Sequence, residues 1–311
     1  MRMANIEYGS GICLKDSRCL WRMLSCCDTG TRSLFVETIP RCSTFVDANK
    51  NVLDLTGDKN AIESARGISE MTSRRLAKLR EEVLDANLDL VRKGLVLYTF
   101  GNVSGISRED RIVIIKPSGV PYDQLQLADL VTTDLSGKVL EGDLRPSSDL
   151  PTHLVLYKAF PEIGGVAHSH SEYATSWAQA RRPIPCLGTT HADYFHGPVP
   201  VTECMRDPEI ATAYEENTGH AIVKAFKGND YKSVPAVLVA NHGPFAWGPD
   251  AKTAAHNAVI VEAVARTAYF TVTLNHEAQA IDRALHDKHY LRKHGRNAYY
   301  GQEKELNQKG R

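Results

Sequence analysis

The sequence predicts an α/β fold with a mixed or antiparallel central sheet flanked by helices. Three observations carry this. From residue 94 onward, short β-rich runs alternate with longer helical segments. Ser136-Gly137 lies between two β-rich runs, residues 130–134 and 139–141, as a hairpin turn. Hairpins beside helical crossovers favour antiparallel pairing over a doubly wound sheet. No Gly-x-Gly-x-x-Gly follows a strand, and no Gly-x4-Gly-Lys-Ser/Thr occurs. Neither a dinucleotide-binding unit nor a P-loop is therefore indicated.

The elements follow in order. After Thr72 or Ser73 as N-cap, Leu76, Leu79, Val83, Ala86 and Leu90 recur every three or four residues, and Gly94 stops this amphipathic helix. Residues 95–98 and 112–115 read as strands, the second ending at Lys116-Pro117-Ser118-Gly119. A helix begins after Ser148 or Asp149 with Pro151 in its first turn. The apolar run 164–170 is a strand that ends in His168 and His170. A helix over 172–180, a loop over 183–188 and a strand over 199–202 come next. Asp207-Pro208 opens a helix to about residue 226. Residues 236–240 form an apolar strand leading into Asn241-His242-Gly243. Asp250 caps a helix to about residue 273, and a last helix spans about 280–293 before Gly295.

Bulk properties exclude several classes. The 311 residues carry 37 Lys+Arg against 37 Asp+Glu, so nothing points to nucleic acid. No run of 18 apolar residues suggests a membrane span, and no apolar signal segment opens the chain. A cytoplasmic location is expected. Cys13, Cys19, Cys26, Cys27 and Cys42 crowd the N-terminus without a zinc-type spacing. Residues 1–70 show no sustained periodicity and are expected to be a poorly ordered or dispensable extension, with Met71 a second candidate start. Residues 71–302 form the domain and 303–311 a tail.

The chemistry centres on His168 and His170. Residues i and i+2 of a strand share a face, so two imidazoles there can grip one metal ion. Asp149 at a helix start and His242 at a later strand end lie where side chains converge on a cleft. Together they make a four-ligand candidate for zinc or another divalent ion; the alternative is that some of these histidines are buried and hydrogen-bonded. His191 lies in a loop that brings a carboxylate, Asp193, near two hydroxyls and two aromatic rings. Ser118 with Gly119, and Ser147 with Ser148, offer hydroxyls and amides to an anion, with Lys116 and Asn102 nearby. They are equally readable as turns.

Several segments resemble the class II aldolase/epimerase family. These include Thr99-Phe100-Gly101-Asn102-Val103-Ser104, Lys116-Pro117-Ser118-Gly119, Ser147-Ser148-Asp149-Leu150-Pro151-Thr152-His153 and His168-Ser169-His170-Ser171. Further matches are Gly188-Thr189-Thr190-His191-Ala192-Asp193-Tyr194-Phe195, His242-Gly243-Pro244-Phe245-Ala246-Trp247-Gly248 and Ala298-Tyr299-Tyr300-Gly301-Gln302. The Asp193 loop and the Tyr-Tyr-Gly-Gln tail mark the epimerase branch. The resemblance implies a class II aldolase-like fold, with a mixed, mainly antiparallel sheet, in a homotetramer with active sites between subunits. It assigns one divalent ion per subunit, Zn2+ first and Mn2+ or Co2+ next, to Asp149, His168, His170 and His242.

The implied reaction interconverts the pentulose phosphates L-ribulose 5-phosphate and D-xylulose 5-phosphate. Direct loss of the C4 proton would leave an unactivated carbanion. Breaking C3–C4 places the charge on an enediolate conjugated with the C2 carbonyl, where a Lewis acid can act. If the glycolaldehyde phosphate fragment turns its carbonyl before the bond re-forms, C4 is inverted. Opposite faces then need a base and an acid. The resemblance assigns these to Asp193 and to Tyr300 of a neighbouring subunit, with Tyr299 the adjacent candidate and His289 beside Tyr300. The family also contains sugar-phosphate aldolases, such as those acting on L-fuculose 1-phosphate, and non-catalytic scaffolds. Asp149, Asp193 and Tyr300 favour the epimerase over the first, and the complete ligand set over the second.

Overall fold

The computed structural model describes residues 12–13, 44–46, 52–54 and 59–299, with side-chain surroundings from residue 70. The chain divides into two compact units, residues 1–76 and 77–311. In the first, strands β1 (Ile12–Cys13), β2 (Thr44–Val46) and β3 (Val52–Asp54) pair antiparallel in that order. The first helix is longer than its sequence pattern implied. α1 runs Lys59–Arg92, so Thr72 and Ser73 lie inside it and cap nothing. Residues 59–71 contain no proline and a single glycine, Gly67, which weakens a helix without breaking it. Its end is as expected, with Gly94 left-handed at φ 70°.

The second unit holds a seven-stranded sheet in the order β7-β6-β5-β4-β8-β10-β9. The strands are β4 (Asn102–Ser107), β5 (Ile112–Ile115), β6 (Val131–Asp134), β7 (Val139–Glu141), β8 (Gly165–His168), β9 (Ala236–Val239) and β10 (Gly243–Gly248). All neighbours pair antiparallel. The parallel component reduces to one isolated bridge, Val201 to Leu238. The helices are α2 (Leu150–Ala159), α3 (Glu172–Gln179), α4 (Thr189–Ala192), α5 (Asp207–Ala225), α6 (Ala251–Leu274) and α7 (Arg283–His294). β8, β9 and β10 are buried along their whole lengths, and α6 packs Ala254, Ala258, Val261 and Ala265 into the same core. Asp250 caps α6 as expected, accepting from Thr253 N at 2.6 Å. Among the described residues no helix is long and apolar enough to cross a membrane.

Three expectations change. Residues 95–98 form no strand: Leu95 N bonds back to Leu90 O, Phe100 N to Leu97 O, and Tyr98 is left-handed at φ 53°. The strand starts at Asn102, after Gly101 at φ 78°. A Cβ on Gly101 would sit 2.7 Å from His168 O, so a glycine there lets β4 close onto β8. Residues 199–202 contribute only isolated bridges through Val199 and Val201. β10, a strand the sequence reading did not assign, is central, between β8 and β9. Finally, α5 is broken at Ala213, whose φ −135° and ψ 65° are not helical.

Candidate active site

The strand register builds the centre of the site. His168 ends β8 directly opposite Asn102 of β4 and Phe245 of β10. Its ring stacks on Phe245 at 4.1 Å, and its Nδ1 lies 2.9 Å from Pro244 O. Main-chain carbonyls only accept, so Nδ1 carries the proton and Nε2 offers a lone pair. His170 lies just past the strand end, yet its Nε2 is 3.1 Å from His168 Nε2. His242, in the turn between β9 and β10, brings its Nε2 to 3.2 Å from His170 Nε2. Phe100 faces the His170 ring at 5.9 Å.

This arrangement fits a metal ion. Nitrogens at zinc distance in a tetrahedral array lie about 3.3 Å apart. An N–H···N hydrogen bond also brings two imidazoles this close, but three Nε2 atoms converging, with a carbonyl behind one ring, is the usual arrangement of ligands around an ion. Among the described residues, the ligand atoms mutually within 4.8 Å are those of His168, His170 and His242. Burial, then repulsion from His168 and His170, lowers the His242 pKa to about 3. Burial, then His168, lowers that of His170. Both rings are thus neutral at pH 7, the form that binds metal.

Asp149 lies beside this triad and outside it. Its Oδ2 accepts from Asn102 Nδ2 at 2.7 Å. Burial works against its charge, but His168, His153, the Asn102 amide and His242 together hold its carboxyl below the usual range. Asn102 also donates to Ser147 Oγ at 3.0 Å, so its amide protons are taken up within the site.

The serine loops lie side by side. Pro117 and Pro146 form a bridge, Ser118 N donates to Arg145 O, and Ser147 N to Lys116 O. Ser118, Gly119 and Ser148 are exposed, and Gly119 is left-handed at φ 71°. Lys116, expected to add charge near the serine loops, is buried. It is 1% exposed, its Nζ lying 3.3 Å from Pro117 O and 4.7 Å from the centre of the Tyr122 ring. Burial lowers its pKa to about 8.

Asp193 belongs to a second cluster. It follows α4 and is gripped from α7: Arg292 donates from Nε at 3.0 Å and Nη2 at 2.7 Å, and His289 Nδ1 lies at 3.1 Å. Lys293 Nζ is 3.7 Å away. Burial opposes its charge, yet these partners hold its pKa below the usual range. His191 is no ligand of the triad. It is buried, its Nε2 lies 2.8 Å from Gly197 O, and burial lowers its pKa to about 4. Tyr299 is exposed, and Tyr300 lies outside the described residues.

Sequence reasoning missed three parts of the site. Tyr214 of α5 puts its hydroxyl 3.3 Å from His242 Nδ1. His153, fully buried, bonds through Nδ1 to Ser104 Oγ at 2.7 Å, and Ser104 Oγ also meets Tyr157. The cations of α7 around Asp193 lie almost a hundred residues along the chain from it. Phe100, His153 and His289 had a visible signal, the first two from their places in the matching segments and His289 from its place beside Tyr300.

Three histidines gathered at the ends of adjacent antiparallel strands form a possible divalent-metal site, and the comparisons give the class. Residues 81–269 match the Class II Aldolase and Adducin N-terminal domain, and the chain belongs to that family. One curated relative is the L-ribulose-5-phosphate 4-epimerase UlaF of Salmonella paratyphi B. It is 52% identical over 227 residues, 73% of this chain and 100% of that protein. Among solved structures, an L-fuculose 1-phosphate aldolase is 26% identical with a TM-score of 0.59, covering 68% of this chain and 94% of that one. The l-fuculose-1-phosphate aldolase of Thermus thermophilus shares the fold at 22% identity, TM-score 0.52, over 66% of this chain and 100% of that one.

Proposed function

We propose that this protein is an L-ribulose-5-phosphate 4-epimerase, an isomerase that interconverts L-ribulose 5-phosphate and D-xylulose 5-phosphate. The observation that carries it is the three-imidazole cluster in a chain 52% identical to UlaF across that relative's whole length. His168, His170 and His242 would hold a divalent ion, Zn2+ by their nitrogen donors, with Mn2+ and Co2+ the alternatives. Asp149, beside the triad and held by Asn102, would complete the set as fourth ligand. When bound, the ion supplies Lewis-acid stabilisation of the charge released at C3 and C2.

The protein's own groups do the rest. The Ser118-Gly119 and Ser147-Ser148 loops bind the phosphate through hydroxyls and main-chain N–H groups. Their bridge at Pro117 and Pro146 supports that reading. The base takes the C4 hydroxyl proton as the C3–C4 electron pair moves onto the enediolate carbon. Asp193 is ionised and so able to accept a proton, while its grip by Arg292 and His289 makes it a weak base that gives the proton up readily. The glycolaldehyde phosphate fragment turns its carbonyl, the enediolate carbon's electron pair re-forms C3–C4 on the other face, and Tyr300 of a neighbouring subunit in a homotetramer gives the C4 oxygen its proton, which leaves C4 inverted. Incubation of the purified protein with L-ribulose 5-phosphate tests the assignment. D-xylulose 5-phosphate as the main product supports it; free glycolaldehyde phosphate would make the protein an aldolase.

A further inference from the structure

Each imidazole of the triad offers Nε2 only when its Nδ1 carries the proton, so what faces Nδ1 sets the ligand. For His168 that partner is Pro244 O, a main-chain atom that no side-chain change removes. For His170, among the described residues, no Nδ1 hydrogen bond occurs, and the ring is steadied by Phe100. For His242 the partner is a side chain, Tyr214, with Oη 3.3 Å from Nδ1.

Tyr214 reaches the site because α5 is interrupted. Ala213 leaves helical geometry immediately before it, which re-aims the residue that follows. Thr218 Oγ1 donates to Tyr214 O at 2.8 Å in the first turn of the resumed helix. The contact with His242 is edge-light: ring centres lie 6.0 Å apart at 33°, so the hydroxyl makes the closer approach.

We infer that Tyr214 is a positioning residue for the metal centre: its hydroxyl oxygen accepts the Nδ1 proton of His242, fixes the tautomer that frees Nε2, and holds that ring in the triad. The inference rests on the triad being a metal site.

The test is Zn2+ affinity of the full chain and of the Tyr214→Phe and Tyr214→Ala variants, by competition with a chromophoric chelator. It is paired with the unfolding midpoint of each metal-free protein and the solvent exchange of the His242 Nδ1 proton by nuclear magnetic resonance. Loss of such a support typically costs about 10- to 100-fold in metal affinity. Tyr214→Phe is expected to show that loss at an unchanged metal-free midpoint, with a faster-exchanging proton. Wild-type affinity in Tyr214→Phe with a loss only in Tyr214→Ala would assign the effect to the ring and overturn the inference. So would a loss in Tyr214→Phe matched by an equally weakened metal-free fold. If the unaltered protein takes up no Zn2+, the metal reading of the triad fails and the inference with it; if it binds and Tyr214→Phe binds equally, only the inference fails.

Discussion

Asp193→Asn is expected to unlatch the C-terminal helix without unfolding the domain. The carboxylate accepts three hydrogen bonds, two from Arg292 and one involving His289, with Lys293 at 3.7 Å. An asparagine has one oxygen to offer and turns an NH2 toward the guanidinium, leaving cations around a neutral group. A hydrogen bond to a charged group is worth about 1.5–3 kcal/mol, and breaking one side of a buried pair costs about 3–5 kcal/mol. The Asp193 side chain is 12% exposed and that of Arg292 23%, so the lower end applies, about 3 kcal/mol. No residue of α7 is buried. Its docking thus depends on polar ties, which include His286 to Phe195 O, His294 to Asp193 O and His196 to Asp287 Oδ1. The loss should therefore appear as local opening. At about 1.4 kcal/mol per tenfold, amides of residues 283–294 should exchange about 100-fold faster, with β8 and β10 unaffected. Unchanged protection in α7, or an equal loss throughout the sheet, would refute the reasoning.

Other outcomes follow from the same geometry. Burial holds His153 near a pKa of about 3 and His191 near about 4, below the unfolded value of about 6.5. The unfolded chain then binds more protons, so the stability of the metal-free protein should be full above about pH 6.5 and fall progressively toward pH 4; His170 and His242 act in the same sense. A flat urea midpoint between pH 7.5 and 5 would contradict this. Replacing Ser118 or Ser148 by alanine should raise KM for the sugar phosphate about 10- to 100-fold with little change in the melting temperature, as loss of a charge-assisted bond predicts. An unchanged KM would remove those loops from the phosphate site. We also propose that residues 1–70 are dispensable: a chain starting at Met71 should keep its activity, although it loses the first part of α1. Loss of folding or activity on that truncation would count against the proposal.

The parts of the site that were legible in the sequence are those with a local period. His168 and His170 declare themselves at i, i+2, and Asp149 and His242 at element ends. What sequence hides is partnership at long range. Leu95 to Tyr98 has β-type residues, but Gly94 and Gly101, both left-handed, turn the chain there. Gly243-Pro244 has turn chemistry, yet neighbours on both sides hold it as a central strand. Lys116 reads as a charge near the serine loops, while the fold seats it on Tyr122. Arg292 reaches Asp193, and Tyr214 reaches His242, only through the placement of α7 and the break at Ala213. None of these carries a signal in its own neighbourhood.

The central claim is that the triad holds a metal on which C4 epimerisation depends. The most direct measurement strips the purified protein with a chelator, restores it with graded Zn2+, and follows both bound metal and D-xylulose 5-phosphate formed from L-ribulose 5-phosphate. The account predicts an inactive stripped protein whose activity returns in step with about one ion per chain, and no return in a His168→Asn variant. Full activity in the stripped protein, or in that variant, would contradict it.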